Sequence, residues 1–423
     1  MTRRDEGYII CGMNAEIVSI GTELLLGDIV NTNAAFLSRK LAEAGIDVFQ
    51  QITVGDNPAR LTAAILRALG RSDVVITSGG LGPTVDDITM ETVAHILRRP
   101  LVLNKTVLKG VKAYFKLRNV RFPEECSRQA YIPEGVTLVC NDVGTAPGLV
   151  AKYATKLIVC LPGPPRELEP MFRNRVLPIL QKKLKNDWVI RSRTIKTTGL
   201  AESLVDGKVR DLLNLKPPTT VGIYAKLRQV ELKIMAKART EKEALGNIAA
   251  IERKIRSRLG ACIFGCDVET LESVVGSTLA KKNLTIATAE SCTGGALANR
   301  ITNVAGSSGY FMSGVVTYSN ESKENLLGVG RETIRRYGAV SKQTALEMAA
   351  GIKHFACVDI GVAITGVAGP DGGSAKKPVG LVFIALAYGR KRMAFEFRFT
   401  GSREEIKFQA SQAALDIIRR SVK

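Results

Sequence analysis

Short apolar runs that each stop at a glycine-rich polar turn constrain this chain most. Ala15–Ile20 (AEIVSI), Ile46–Val54 and Asp73–Thr77 (DVVIT) are runs of strand length. They end at Gly21-Thr22-Glu23, at Gly55-Asp56-Asn57-Pro58 and at Ser78-Gly79-Gly80. Between them lie segments with helical spacing, carrying Phe36, Leu37 and Leu41, then Leu61 to Leu69. Strands separated by helices are read as parallel neighbours, because a parallel pair needs a long crossover. The alternation therefore predicts an α/β unit, a parallel sheet with helices on both faces. Ligands of such sheets collect beyond the carboxyl ends of the strands, where the polar turns fall.

The pattern returns after Leu271. Strands are expected at Leu284–Ala289, Val315–Tyr318, Val358–Thr365, Val379–Ala387 and Met393–Phe399, and helices at Ala296–Ile301, Glu321–Leu327, Lys342–His354 and Ser402–Ile418. This second α/β/α unit sandwiches a mixed sheet between helices. Between the two lies a smaller α+β stretch. Its strands are expected at Trp188–Thr198 and Val230–Ala236, its helices at Glu202–Leu215 and Glu241–Leu259. The domains are accordingly placed at 14–182, 185–265 and 268–423, after a leader of residues 1–13 expected to be disordered. A length of 423 residues suits two or three domains.

Composition narrows the function classes. No apolar run reaches eighteen residues, so no membrane-spanning helix is expected. The first dozen residues are too short and polar for a signal peptide. The eight cysteines are scattered without CxxC spacing, which suits a reducing cytoplasm. With only two histidines, His95 and His354, a Ser-His-Asp site or a His-rich metal site is not expected. The formal net charge of +20 suits anionic partners: nucleic acid, nucleotides or phosphorylated metabolites. An aromatic content of 5% argues against a stacking platform for single strands.

Two stretches carry candidate chemistry. In Ser78-Gly79-Gly80-Leu81-Gly82-Pro83-Thr84-Val85-Asp86-Asp87, three glycines let the backbone approach a phosphate, with a helix N-terminus behind them. Asp86 and Asp87, expected to begin that helix, would repel a phosphate unless a divalent metal lay between; oxygen ligands suit a hard cation. Leu161-Pro162-Gly163-Pro164-Pro165-Arg166 forms a rigid loop that would place Arg166 against an anionic ligand. The second stretch is Ala289–Lys323. It holds two hydroxyl-bearing turns, Glu290-Ser291-Cys292-Thr293-Gly294-Gly295 and Ala305-Gly306-Ser307-Ser308-Gly309, and ends in Lys323. That set suits a phosphate cradle beside an activated nucleophile.

The motifs GTELLLGDIVNTNA, SGGLGPTVDD, GTAPG and LPGPPREL resemble the N-terminal half of the competence/damage-inducible CinA family, itself similar to the molybdopterin-binding fold. The resemblance implies a nucleotide or pterin site at Gly21, Glu23, Asp56, Ser78, Gly79, Gly80, Gly82, Asp87 and Arg166. It also implies metal-dependent ADP-ribose pyrophosphatase activity, for which the residue chemistry makes Asp86 and Asp87 the candidate metal ligands. The family usually has glutamine where Asp28 stands. The middle stretch resembles the family's KH-like module but lacks the GXXG loop that grips nucleic acid, so a spacer is expected and nucleic acid is not. AESCTGG, AGSS, GVVTYSNESK, GAVS, ITGVAGPDGG and KPVG resemble the CinA C-terminal domain, which is similar to amidohydrolases that convert nicotinamide mononucleotide (NMN) to nicotinic acid mononucleotide and ammonia. That implies a cytoplasmic homodimer whose amidase needs no cofactor.

Amide hydrolysis without histidine needs another base, and a desolvated lysine serves. Ser308 is expected as nucleophile, Lys323 as general base and Tyr318 as proton relay or orienting donor. Thr365 is expected to donate to the amide or oxyanion, and Arg403 to counter the phosphate; the resemblance implies these same roles. Glu290, Ser291, Thr293, Gly294 and Gly295 are expected to grip the phosphate. Asn320 and the Gly366, Gly369, Gly372 and Gly373 loop complete the substrate site. Ser291 is the competing nucleophile.

Overall fold

The computed structural model describes residues 13–184 and 188–422. All of the expected leader except Met13 lies outside them, as do residues 185–187. The chain divides into two compact units, 13–191 with 237–244, and 192–236 with 245–422. The middle stretch thus falls mostly with the C-terminal unit.

The strands of the first unit are β1 (Asn14–Ile20), β2 (Asp47–Val54), β3 (Val74–Ser78), β4 (Leu101–Leu103), β5 (Tyr131–Pro133), β6 (Thr137–Val139), β7 (Gly148–Tyr153) and β8 (Lys156–Leu161). Six of them form one sheet in the order β2-β1-β3-β8-β7-β6, and β4 pairs with β5 apart from it. β2, β1, β3 and β8 run parallel; β7 and β6 close the edge antiparallel. β3 is buried along its whole length, as a central strand covered on both faces must be. Its two faces feed two cores. One gathers Ile17, Leu37, Ile76, Val159 and Phe172; the other gathers Val18, Leu61, Ile65, Val75 and Ile158.

In the second unit, β9 (Val189–Thr198), β10 (Thr219–Lys226), β11 (Gln229–Ala238) and β12 (Ile263–Cys266) form a sheet in the order β10-β11-β9-β12. β10 and β11 are a hairpin that the sequence only half announced. β13 (Ile286–Glu290), β14 (Phe311–Val316), β15 (Ile360–Gly366), β16 (Leu381–Tyr388) and β17 (Lys391–Arg398) form a mixed sheet in the order β14-β13-β15-β16-β17. β14, β13 and β15 are parallel, so their carboxyl ends lie together. Helix Arg403–Ser421 packs on one face with Ile364, Ile384 and Leu415, and helix Lys342–Phe355 on the other with Ala363, Ala385 and Met348. Gly314 lets β14 approach its neighbours, since a Cβ there would lie 3.0 Å from the Ala298 side chain.

Candidate active site

β13 is fully buried and ends at Glu290. The Ser291 amide donates to the Ile364 carbonyl at 2.9 Å, which ties the turn to β15. Glu290, 1% exposed, accepts from the Leu297 amide at 3.0 Å and the Ala298 amide at 2.8 Å. Both its oxygens thus cap helix Ala296–Thr302, whose first-turn amides have no partner inside the helix.

Lys323 lies on helix Asn320–Leu327 just past β14, and is 1% exposed. Its Nζ is 3.2 Å from Ser291 Oγ, 2.8 Å from the Thr317 carbonyl and 3.1 Å from the Tyr318 carbonyl, with the Ser319 carbonyl at 3.4 Å. None of the four partners is charged. Burial holds the Lys323 amine below the ordinary lysine range, against a smaller opposing influence from Cys292. A neutral amine has two N–H donors and one lone pair. Two carbonyls can take the donors and orient the lone pair at the Ser291 hydroxyl. Burial pushes the adjacent Cys292 thiol up to about 12, so it stays protonated and is no nucleophile.

Around this pair, Thr365 ends β15 almost fully buried and donates to the Ala339 carbonyl at 2.8 Å. Arg403 opens the last helix. Its Nη1 donates to the Gly369 carbonyl at 2.6 Å and its Nη2 to the Tyr318 hydroxyl at 3.2 Å. One turn on, Lys407 Nζ would lie 3.6 Å from a Cβ built on Gly294. Arg403 and Lys407, at i and i+4, thus present two positive charges toward the serine turn.

The first unit holds a second site, a cleft of about 440 Å³ at the carboxyl ends of its parallel strands. Gly21, Gly79, Gly80 and Gly82 line it together with Glu23, Asp56, Asp86, Asp87 and Glu167. Gly79 sits at φ 110°, and a Cβ there would collide with the Ile20 carbonyl, so the loop fits the end of β1 only as glycine. Asp56 Oδ2 accepts from the Thr22 amide at 2.9 Å and the Thr22 hydroxyl at 2.7 Å. Asp87 Oδ2 accepts from the Thr84 amide at 2.9 Å and its hydroxyl at 2.5 Å. Each aspartate is pinned by one oxygen and keeps the other. Among the described residues no lysine or arginine lines the cleft, despite the chain's strong positive charge.

Comparison with known proteins finds three family matches along the chain. Residues 16–182 match the probable molybdopterin binding domain, 192–265 the damage-inducible protein CinA KH domain, and 268–422 the CinA C-terminal domain. A CinA-like protein of Kosmotoga olearia is 48% identical over 410 residues, covering 97% of this chain and 99% of its own. The chain belongs to the CinA family. A putative competence-damage inducible protein of Clostridium tetani is 46% identical over 97% of this chain and 100% of its own. The solved competence/damage inducible protein CihA of Agrobacterium tumefaciens is 42% identical, covering 36% of this chain and 93% of its own, with a TM-score of 0.35.

Within this CinA family chain several expected roles change. Ser308 is exposed in the Ser307–Gly309 turn that precedes β14, whereas Lys323 follows β14. A six-residue strand spans roughly 20 Å, so the two lie at opposite ends of the sheet. Ser291 is the hydroxyl that the structure brings to Lys323. Tyr318 lies beyond the strand; its carbonyl accepts from Lys323, and its hydroxyl accepts from Arg403 and is hydrogen-bonded to neither Ser291 nor Lys323. Thr365 spends its one proton on Ala339, which leaves lone pairs to accept from an amide rather than a proton to donate.

At Thr293-Gly294-Gly295 the amides of Thr293 and Gly295 carry no hydrogen bond and stay open to a phosphate, but their neighbours do not. The amides of Gly294 and Ala296 are spent on Ser291 and Thr293 carbonyls, and those of Leu297 and Ala298 on Glu290. Glu290 is a structural cap. The Thr293 hydroxyl is buried without a partner. Asn320, Gly372 and Gly373 are exposed, Gly366 half-buried, and Gly369 meets Arg403 through its carbonyl. Lys407, unmarked in the sequence, brings a positive charge beside the turn; its i, i+4 spacing from Arg403 was the available signal.

In the first unit Arg166 is the misplaced residue. It occupies the second position of helix Pro165–Met171 with its side chain 76% exposed, while its neighbour Glu167 lines the cleft. Ser78 is buried and accepts from Asn33 at 2.9 Å. Asp86 and Asp87 precede the helix, which begins at Thr89. Among the described residues no three Asp, Glu, His or Cys side chains are grouped to cage a metal. The fit is to a hard cation that takes one or two carboxylates and completes its shell with ligand phosphates and water. No described helix is long and apolar enough to cross a membrane.

Proposed function

We propose that the C-terminal unit hydrolyses the carboxamide of NMN to nicotinic acid mononucleotide and ammonia, with Ser291 as nucleophile. The observation that carries this reading is the buried Lys323 amine 3.2 Å from the Ser291 hydroxyl, with no charged partner. Lys323 takes the proton from Oγ as it attacks the carboxamide carbon. The amine then returns that proton to the departing nitrogen, and ammonia leaves an ester on Ser291. Water, deprotonated by the same amine, adds to the ester; the acid departs and Oγ regains its proton. Thr365 accepts from the carboxamide N–H₂ before attack, and Arg403 with Lys407 counters the phosphate. No cofactor enters this scheme. Ammonia release from NMN tests it. Ser291→Ala is expected to lower kcat on the order of 10⁴-fold, and Ser308→Ala to leave it within about twofold; the reverse order sinks the assignment.

A separate observation favours a second activity. A cleft lined by carboxylates without a lysine or arginine repels a pyrophosphate unless a cation accompanies it. We infer metal-dependent ADP-ribose pyrophosphatase activity there. Asp56 and Asp87, each with a free oxygen, would hold the divalent cation together with ligand phosphates and water, and the cation would neutralise and polarise the phosphate oxygens. The glycine loop admits the diphosphate to the backbone, and the rigid Pro162–Pro164 turn walls the cleft. Together the two activities make a cytoplasmic enzyme of pyridine-nucleotide recycling, working as a homodimer.

A further inference from the structure

We propose that Gln129 is the specificity residue of the N-terminal cleft, reading an exocyclic amino group on the ring of the bound ligand. The inference rests on the nucleotide-or-pterin reading of that cleft and goes beyond it in naming what part of the ligand is recognised and by which atom. Gln129 lines the cleft from the 3₁₀ segment Glu124–Ala130 and meets the glycine loop at Leu81. It is 4% exposed. Its Nε2 donates to the Leu81 carbonyl at 3.3 Å, which fixes the amide's orientation, and its Oε1 is buried with no hydrogen-bond partner. A buried acceptor without a partner is unfavourable unless a ligand or water supplies the donor.

The chemistry of the surrounding wall selects the donor. The acidic residues of the cleft suit a cation and phosphates, whereas Ile20, Leu81 and Ala146 give it an apolar stretch that suits a flat ring. On such a ring an exocyclic amino group, as on adenine or a pterin, is an edge donor that an amide oxygen accepts. A ring with a carbonyl in that position would set acceptor against acceptor, and a site built to pair a donor rejects the analogue that lacks it.

The test is calorimetric binding to the full chain with two ligand pairs, calcium being present for the diphosphates. One pair is ADP-ribose and its hypoxanthine counterpart; the other is pterin and lumazine, which differ by the amino group. The protein is expected to bind the amino-bearing member of at least one pair about tenfold more tightly. Gln129→Met is expected to reduce that ratio to about one, and Gln129→Glu, which keeps an acceptor, to preserve the preference. The ratio is the readout because a merely structural loss would weaken both members of a pair alike. Should Gln129→Met fail to fold, loss of the preference in Gln129→Glu overturns the proposal. Binding without preference, or a preference that survives in Gln129→Met, overturns the Gln129 assignment alone. Binding of none of the four ligands overturns the cleft's reading and the assignment with it.

Discussion

The two sites stand at equivalent places in their sheets, beyond the carboxyl ends of parallel strands, yet they prepare for chemistry in opposite ways. In the C-terminal unit the reactive pair is sealed: Lys323 is buried, and Glu290 beside it is fully spent on backbone amides. In the N-terminal unit the carboxylates face a cleft, and Asp56 and Asp87 each keep an oxygen free. Under the proposed function the first arrangement would generate a nucleophile from its own side chains by desolvating an amine. The second assembles negative charge that is productive only with an added cation. One site is complete as folded, and the other is half of a site.

The largest effect expected under this contrast falls on Lys323. Lys323→Met keeps the side-chain volume but removes the base, and NMN deamidation is expected to fall about 10³-fold with KM little changed. The pH profile follows from the direction of the shift. The active form is the neutral amine, and burial lowers its pKa, so kcat/KM rises with pH through a midpoint below the ordinary lysine range. A midpoint at or above that range would contradict the sealed-site account. Chelation addresses the other half. EDTA is expected to lower ADP-ribose cleavage about 10²-fold or more and to leave ammonia release from NMN unchanged. Loss of both activities on chelation would erase the distinction between the sites. A smaller effect is expected from Lys407→Ala, about a tenfold rise in KM for NMN with little change in kcat, because a phosphate contact made equally in ground and transition states moves binding alone. Equal kinetics in the variant would remove Lys407 from the site.

Much of both sites was legible because glycine turns after apolar runs announce strand ends, and the carboxyl ends of parallel strands gather by topology. The pairing of Ser291 with Lys323 was not. Val315-Val316-Thr317-Tyr318 is strongly β-branched and aromatic, which drew the expected strand to 315–318. The strand runs from Phe311 to Val316, because pairing with β13 and close packing at Gly314 decide its place. That shift took Tyr318 off the strand and set Ser308 at its far end. Similarly, β10 follows Lys216-Pro217-Pro218 and contains Gly222, poor strand signals that pairing with β11 overrides. Arg166 was misjudged because a helix-start position fixes the backbone but not which way a long side chain points. The free oxygens of Asp56 and Asp87 depend on turns closed by Thr22 and Thr84, one of them thirty-four residues away in sequence from its partner.

The subtlest test compares two carboxylates that look alike in sequence, each near a strand end and next to a functional turn. Glu290 uses both oxygens to bind Leu297 and Ala298 amides, so Glu290→Gln turns an N–H₂ toward one amide and leaves that donor without an acceptor. The expected cost is about 2 kcal/mol. For a unit of this size that is a fall in Tm of about 4–8 °C, with cation binding in the other unit unchanged. Asp56 needs only one oxygen for Thr22, which the amide of Asp56→Asn still supplies. That variant is expected to keep its Tm within about 1 °C, since only a half-buried carboxylate oxygen becomes an amide. Its cation affinity, measured by calorimetry, is expected to drop sharply, because a neutral N–H₂ group replaces the free oxygen. If Glu290→Gln proves thermally silent, or if Asp56→Asn melts early and binds cation normally, the assignment of one carboxylate to structure and the other to ligand is reversed.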